Sequence, residues 1–86
     1  MTTPEESIAA AFNARFTSFD IAIRPEDVVV GARRVIGHRG WHIRFRVDPD
    51  DGGFPSLEYY AVHRMTSDTH ARIWADGHIE DRKSVV

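Results

Sequence analysis

The stretch WHIRFRVD (41–48) alternates apolar and polar residues almost without exception. Trp41, Ile43, Phe45 and Val47 form one set, and His42, Arg44, Arg46 and Asp48 the other. A period of two places the sets on opposite faces of a β-strand. One face is apolar and one is charged, as expected of an antiparallel sheet covered on one side only. The segment is therefore read as a strand with its apolar set against a core and His42, Arg44 and Arg46 turned to solvent.

Working outward, the flanking segments continue the sheet. VVVGARRVI (28–36) is rich in β-branched residues and reads as the preceding strand, with GHRG (37–40) as the turn between. DPDDGGFPS (48–56) is a loop by its Asp, Pro and Gly content. LEYYAVHRM (57–65) and HARIWA (70–75) read as further strands separated by a turn at TSDT (66–69). Asp76-Gly77 is a hairpin signal, because both residues tolerate positive φ, and HIEDR (78–82) follows as a short edge strand. The last four residues, 83–86, read as a fraying tail.

The N-terminal segment has a different period. Thr3, Pro4 and Glu6 make a capping box with proline at the first helical position, and Glu5 and Glu6 suit the positive end of a helix dipole. Ile8, Phe12, Phe16 and Phe19 recur at helical spacing and form one apolar stripe. A helix is expected over about 4–18. Arg24-Pro25 lies in a connector, in which Ile21 and Ile23 alternate as a short strand would. The fold class is thus α+β: an N-terminal helix packed on one face of a four- to five-stranded antiparallel meander sheet. Strand–helix–strand alternation is missing, so a parallel sheet is not expected.

Composition bounds the function. The chain of 86 residues has the length of one domain, 1–86, with 42% hydrophobic and 28% charged residues and a net charge of −2. It has no cysteine, which removes disulfides and thiolate chemistry. The start MTTPEESIAA lacks the basic and apolar regions of a secretory signal, and no run is long enough to span a membrane. A cytoplasmic location and no membrane partner are expected. Charge is unevenly distributed: residues 33–46 carry five arginines and no acid, and residues 47–58 four acids and no base. Such asymmetry can steer a charged partner.

Strand phase decides which charges meet. In 57–65, Leu57, Tyr59, Ala61, His63 and Met65 are the inward set. In 70–75 the inward set is Ala71, Ile73 and Ala75. Val28, Val30 and Ala32 are in phase with one another but not with Val35, so a bulge is expected at Arg33-Arg34, turning both arginines outward. The open face would then carry Arg33, Arg34, His42, Arg44, Arg46, Tyr60, Arg64, Arg72 and Trp74, with His70 among them and Glu58 as its acid. Arginine forks bind phosphate and carboxylate, and exposed aromatics stack on bases.

Other chemistries are weaker. The histidines show no metal-ligand spacing, and DPDDGG lacks the full calcium-loop pattern. Ser67-Asp68-Thr69-His70 is explained by turn chemistry. No cofactor, metal or catalytic residue is expected. The expectation is a non-enzymatic binding module whose arginine-rich sheet face meets an anionic partner, either nucleic acid or an acidic protein surface. The alternative is a homodimerising or protein-interaction domain using the same face or an edge strand.

Overall fold

The computed structural model describes residues 2–65 and 68–82. The expected tail at 83–86, and the 66–67 part of the expected turn, lie outside these. One helix, α1 (Pro4–Phe16), precedes five strands: β1 (Arg33–His38), β2 (Trp41–Pro49), β3 (Pro55–His63), β4 (Thr69–Ile73) and β5 (Ile79–Arg82). The strands form one antiparallel sheet in the order β1-β2-β3-β4-β5. The α+β meander with a helix against the sheet is as the alternation and the helical stripe indicated.

The start of α1 follows its sequence. Thr3 Oγ1 accepts from the Glu6 backbone N–H at 3.2 Å, and Glu6 Oε1 accepts back from Thr3. The α-helical part ends at Phe16, earlier than expected, and continues as a 3-10 turn, Thr17–Phe19. Thr17 donates its hydroxyl to the Asn13 carbonyl at 2.7 Å, and Asp20 adopts a left-handed φ of 57°, which stops the helix. Phe12 and Phe16 lie against Tyr59 with ring centroids 5.5 and 5.7 Å apart, and Phe16 meets Trp41 edge-on at 5.4 Å. Ile43, Phe45, Val47, Leu57, Ala61, Ala71 and Ile73 complete the buried layer. Each large apolar side chain so buried contributes roughly 1.5–3 kcal/mol.

Ile21 and Ile23 are buried but form no strand. The side chain of Asn13 takes the place of a neighbouring strand. Its Nδ2 donates to the Ile23 carbonyl at 2.9 Å, and its Oδ1 accepts from the Ile23 N–H at 2.8 Å. The connector is thereby tied to the helix rather than to the sheet.

The largest departure from expectation is in the segment before β2. The strand begins at Arg33 rather than at 28, and β1 pairs regularly with β2 through Arg33↔Arg46, Arg34↔Phe45 and Val35↔Arg44. The expected bulge at Arg33-Arg34 is not there. It lies earlier: Gly31 N–H donates to the Val47 carbonyl at 2.8 Å while Val47 N–H donates to Ala32, and Gly31 has φ +93°. This is the glycine form of the β-bulge, built on the turn that Ala32 N–H closes to Val29. Its position reverses the faces of Arg34 and Val35. Arg34 shares the face of Phe45, on the helix side, and pairs with Asp27 at 2.7 Å, while Val35 takes the open face.

Smaller boundary shifts follow from turn chemistry. Arg39 and Gly40, with φ of 52° and 86°, make the two-residue hairpin between β1 and β2, tighter than GHRG. The hairpin around Asp76-Gly77 has three loop residues. Gly77 N–H donates to Trp74, and Trp74 N–H to His78, another glycine bulge. Hence β4 stops at Ile73 and Trp74 flanks the turn, while Arg64 and Met65 fall beyond β3. Met65 is exposed, not inward.

Candidate anion-binding face

The register arranges the open face in cross-strand rows, because directly opposed residues of an antiparallel pair share a side. One row reads Arg33, Arg46, Glu58, Arg72, Glu80 from β1 to β5. The next reads Val35, Arg44, Tyr60, His70, Arg82. The first row alternates in charge at every step but one. Arg33 opposite Arg46 is the only directly opposed pair of like, permanently charged residues among the described residues. Such juxtaposition is destabilising.

Glu58 is the hub of the β2–β4 side. Its Oε1 accepts from Arg46 at 3.0 Å and from Arg72 at 2.8 Å, and its Oε2 lies 2.7 Å from His70 Nε2. Burial pushes the Glu58 carboxyl up, but the His70 hydrogen bond and the charges of Arg72 and Arg46 outweigh it and hold the group below the ordinary glutamate value. Arg72 also donates to Ser56 at 2.7 Å, and Arg46 to Asp48 at 2.9 Å. Arg46 and Arg72 are thus held by acids of the protein itself.

Arg33 and Arg44 are not. Neither is in an ion pair among the described residues. The Arg44 guanidinium lies 5.9 Å from the Tyr60 ring centroid. The Tyr60 ring is set by a hydrogen bond from its hydroxyl to Asp68 at 3.2 Å and by the His70 ring at 5.4 Å. A cleft of about 550 Å³ opens over this region, lined by Arg33, Arg44, Arg46, Glu58, Tyr60 and His70 among others.

Of the residues the sequence pointed to, Arg33, His42, Arg44, Arg46, Tyr60 and Arg72 share the open face. Arg34 does not, for the reason given above. Arg64 lies in the turn after β3, its N–H bonded to Gly40 at the hairpin end. Trp74 lies just past β4 with the Arg72 guanidinium 5.5 Å from its ring centroid, and its indole Nε1 is shielded without a hydrogen-bond partner. Asp48 and Ser56 belong to the same polar network, and Glu80 stands opposite Arg72 at the end of the row; none of the three was singled out as a site residue in the sequence. The alternation of WHIRFRVD already put Asp48 on this face. Glu80 required the pairing of β5.

On the opposite side Arg15 of α1 reaches Tyr59 Oη at 3.1 Å and Asp81 at 2.9 Å, clasping the helix to β5. The bond to Asp81 chiefly raises the Arg15 pKa and lowers that of Asp81, while burial raises the Tyr59 phenol. Among the described residues no group of three or more His, Asp or Glu side chains is placed to hold a metal ion. No helix among the described residues is long and apolar enough to cross a membrane.

Fold and site together define a two-layer α+β meander with a cationic corner on the sheet face away from the helix. No protein-family model matches the chain, and neither curated proteins nor solved structures give a significant match.

Proposed function

We propose that the protein is a binding module that takes an anionic partner on the β1–β2 half of its open sheet face. The observation that carries this reading is the Arg33–Arg46 opposition with Arg44 beside it. Two of these three arginines lack a carboxylate partner among the described residues, whereas Arg46 and Arg72 in the same row are both held by Glu58. An anion seated between Arg33 and Arg44 supplies the missing charge and relieves the repulsion. Arg46, already held by Asp48 and Glu58, contributes field more than direct contact. The partner class is nucleic acid or an acidic protein surface.

The test is binding of single-stranded RNA, single-stranded DNA and polyglutamate across a salt series, with light scattering alongside. At least one of these binds at low salt and weakens as salt rises. For a single strand, loss of two phosphate contacts in Arg33→Ala/Arg44→Ala lowers the salt slope by about 1.4. Absence of polyanion binding at low salt, or an unchanged slope in the folded double variant, refutes the reading.

A second reading, self-association, draws on one observation. Val35 lies on edge strand β1 and is 61% exposed, with Val29 and Val30 also exposed nearby in sequence. A molar mass near twice that of the chain, reduced to one by Val35→Glu, would favour it.

A further inference from the structure

We infer that the cleft recognises a nucleoside phosphate unit, its phosphate between Arg33 and Arg44 and its base against the Tyr60 ring. The inference rests on the anion-binding reading and adds the identity of the ligand. Three features select this chemistry over a uniformly acidic chain.

The cleft is polarised. Its cations without acid partners among the described residues, Arg33 and Arg44, stand on β1 and β2, while Glu58 lies on β3 and Asp68 accepts from the Tyr60 hydroxyl on the far side. An acidic peptide crossing the strands would find Arg46 and Arg72 already taken by Glu58 and would run its charges into Asp68. A ligand with one anionic end and an uncharged body avoids that conflict.

The uncharged end meets an aromatic. Tyr60 is directly opposite Arg44, so phosphate and ring sites are neighbours in one cross-strand row. The ring is held in place by Asp68 and His70, so little ordering is needed to present it. Arg44 now covers the ring at 5.9 Å. Drawn to a phosphate, its guanidinium leaves that face for the base or stacks on the base itself, and both are ways in which flexible single strands are held. The size also agrees: about 550 Å³ falls within the few hundred to a thousand cubic ångströms of small-ligand sites.

The unit could be a free nucleotide or one link of a single strand, and the experiment separates these sources. Calorimetric titrations use adenosine 5′-monophosphate, adenosine, inorganic phosphate and a short oligoadenylate at low salt. The nucleotide is expected to bind roughly 5- to 100-fold tighter than inorganic phosphate, the range that one stacked base supplies. Tyr60→Ala removes that advantage and leaves phosphate affinity unchanged, while Tyr60→Phe retains it. Oligoadenylate binding tighter than the mononucleotide, with a steep salt slope, assigns the site to single strands, and equal affinities assign it to free nucleotides. Circular dichroism checks that both variants fold. Equal affinity for nucleotide and phosphate in the wild type, or equal loss of both in Tyr60→Ala, overturns the inference. If phosphate binding still falls in Arg33→Ala/Arg44→Ala, the anion-binding reading survives that failure. If no anion binds, both are refuted.

Discussion

Replacing Glu58 by Gln keeps the side-chain shape and removes its charge. Glu58 is 17% exposed and Arg72 15%, whereas Arg46 is 52% exposed. A hydrogen bond to a charged group contributes about 1.5–3 kcal/mol, and a solvent-exposed ion pair about 0–1. The Arg72 and His70 contacts therefore carry most of the effect and the Arg46 contact little. Glutamine retains one acceptor, so the expected cost near neutral pH is about 2–3 kcal/mol. For a domain of this size that is a fall in Tm of roughly 10–20 °C.

The pH dependence gives a second check. The folded Glu58 carboxyl titrates below the ordinary value of 4.5, so its stabilising contribution is fully present above that value. The contribution is lost as pH falls through the lower, folded value. Thermal unfolding followed by circular dichroism at a series of pH values should show the gap between wild type and E58Q closing under acid. Asp81 is also held low, by Arg15, so both proteins lose stability in acid. The difference between the two curves isolates Glu58. Equal stability near pH 7, or a gap that persists in strong acid, would refute the assignment of Glu58 as the hub of this network.

Two further substitutions test the fold itself. Asn13→Ala leaves both backbone groups of Ile23 without their partners and should cost about 2–4 kcal/mol by urea denaturation, and a loss below about 0.5 would show that the connector is held by packing alone. Gly40→Ala should cost about 1–2 kcal/mol, because Gly40 sits at φ +86° and a Cβ there comes 3.0 Å from His63 Nε2. Gly37→Ala, where a Cβ meets nothing within 4 Å, is the control and should change stability by less than about 0.5 kcal/mol.

Much of the architecture was legible from local chemistry. The two-residue period of WHIRFRVD put Ile43, Phe45 and Val47 in the core and His42, Arg44 and Arg46 outside, because successive Cβ atoms of a strand point to opposite faces. The same logic gave the correct faces of Leu57, Tyr59, Ala61, Ala71 and Ile73. The capping box of Thr3 and Glu6 depends on residues three apart and needs no tertiary context.

What failed was non-local. The phase break in VVVGARRVI was visible, but its position was not, since a bulge is defined by the strand opposite. Placed at Gly31-Ala32 against Val47, it sends Arg34 toward Asp27 and leaves Val35 in solvent. Ile21 and Ile23 alternate as a strand does, yet Asn13 from the helix satisfies the backbone of Ile23. The sequence by itself thus determined which residues of each central strand face the core and that a helix covers it. Only the tertiary structure decided which charges stand opposite one another, because register joins segments far apart in the chain. It is register that sets Arg46 and Arg72 on Glu58 and leaves Arg33 facing Arg46 at the β1 edge.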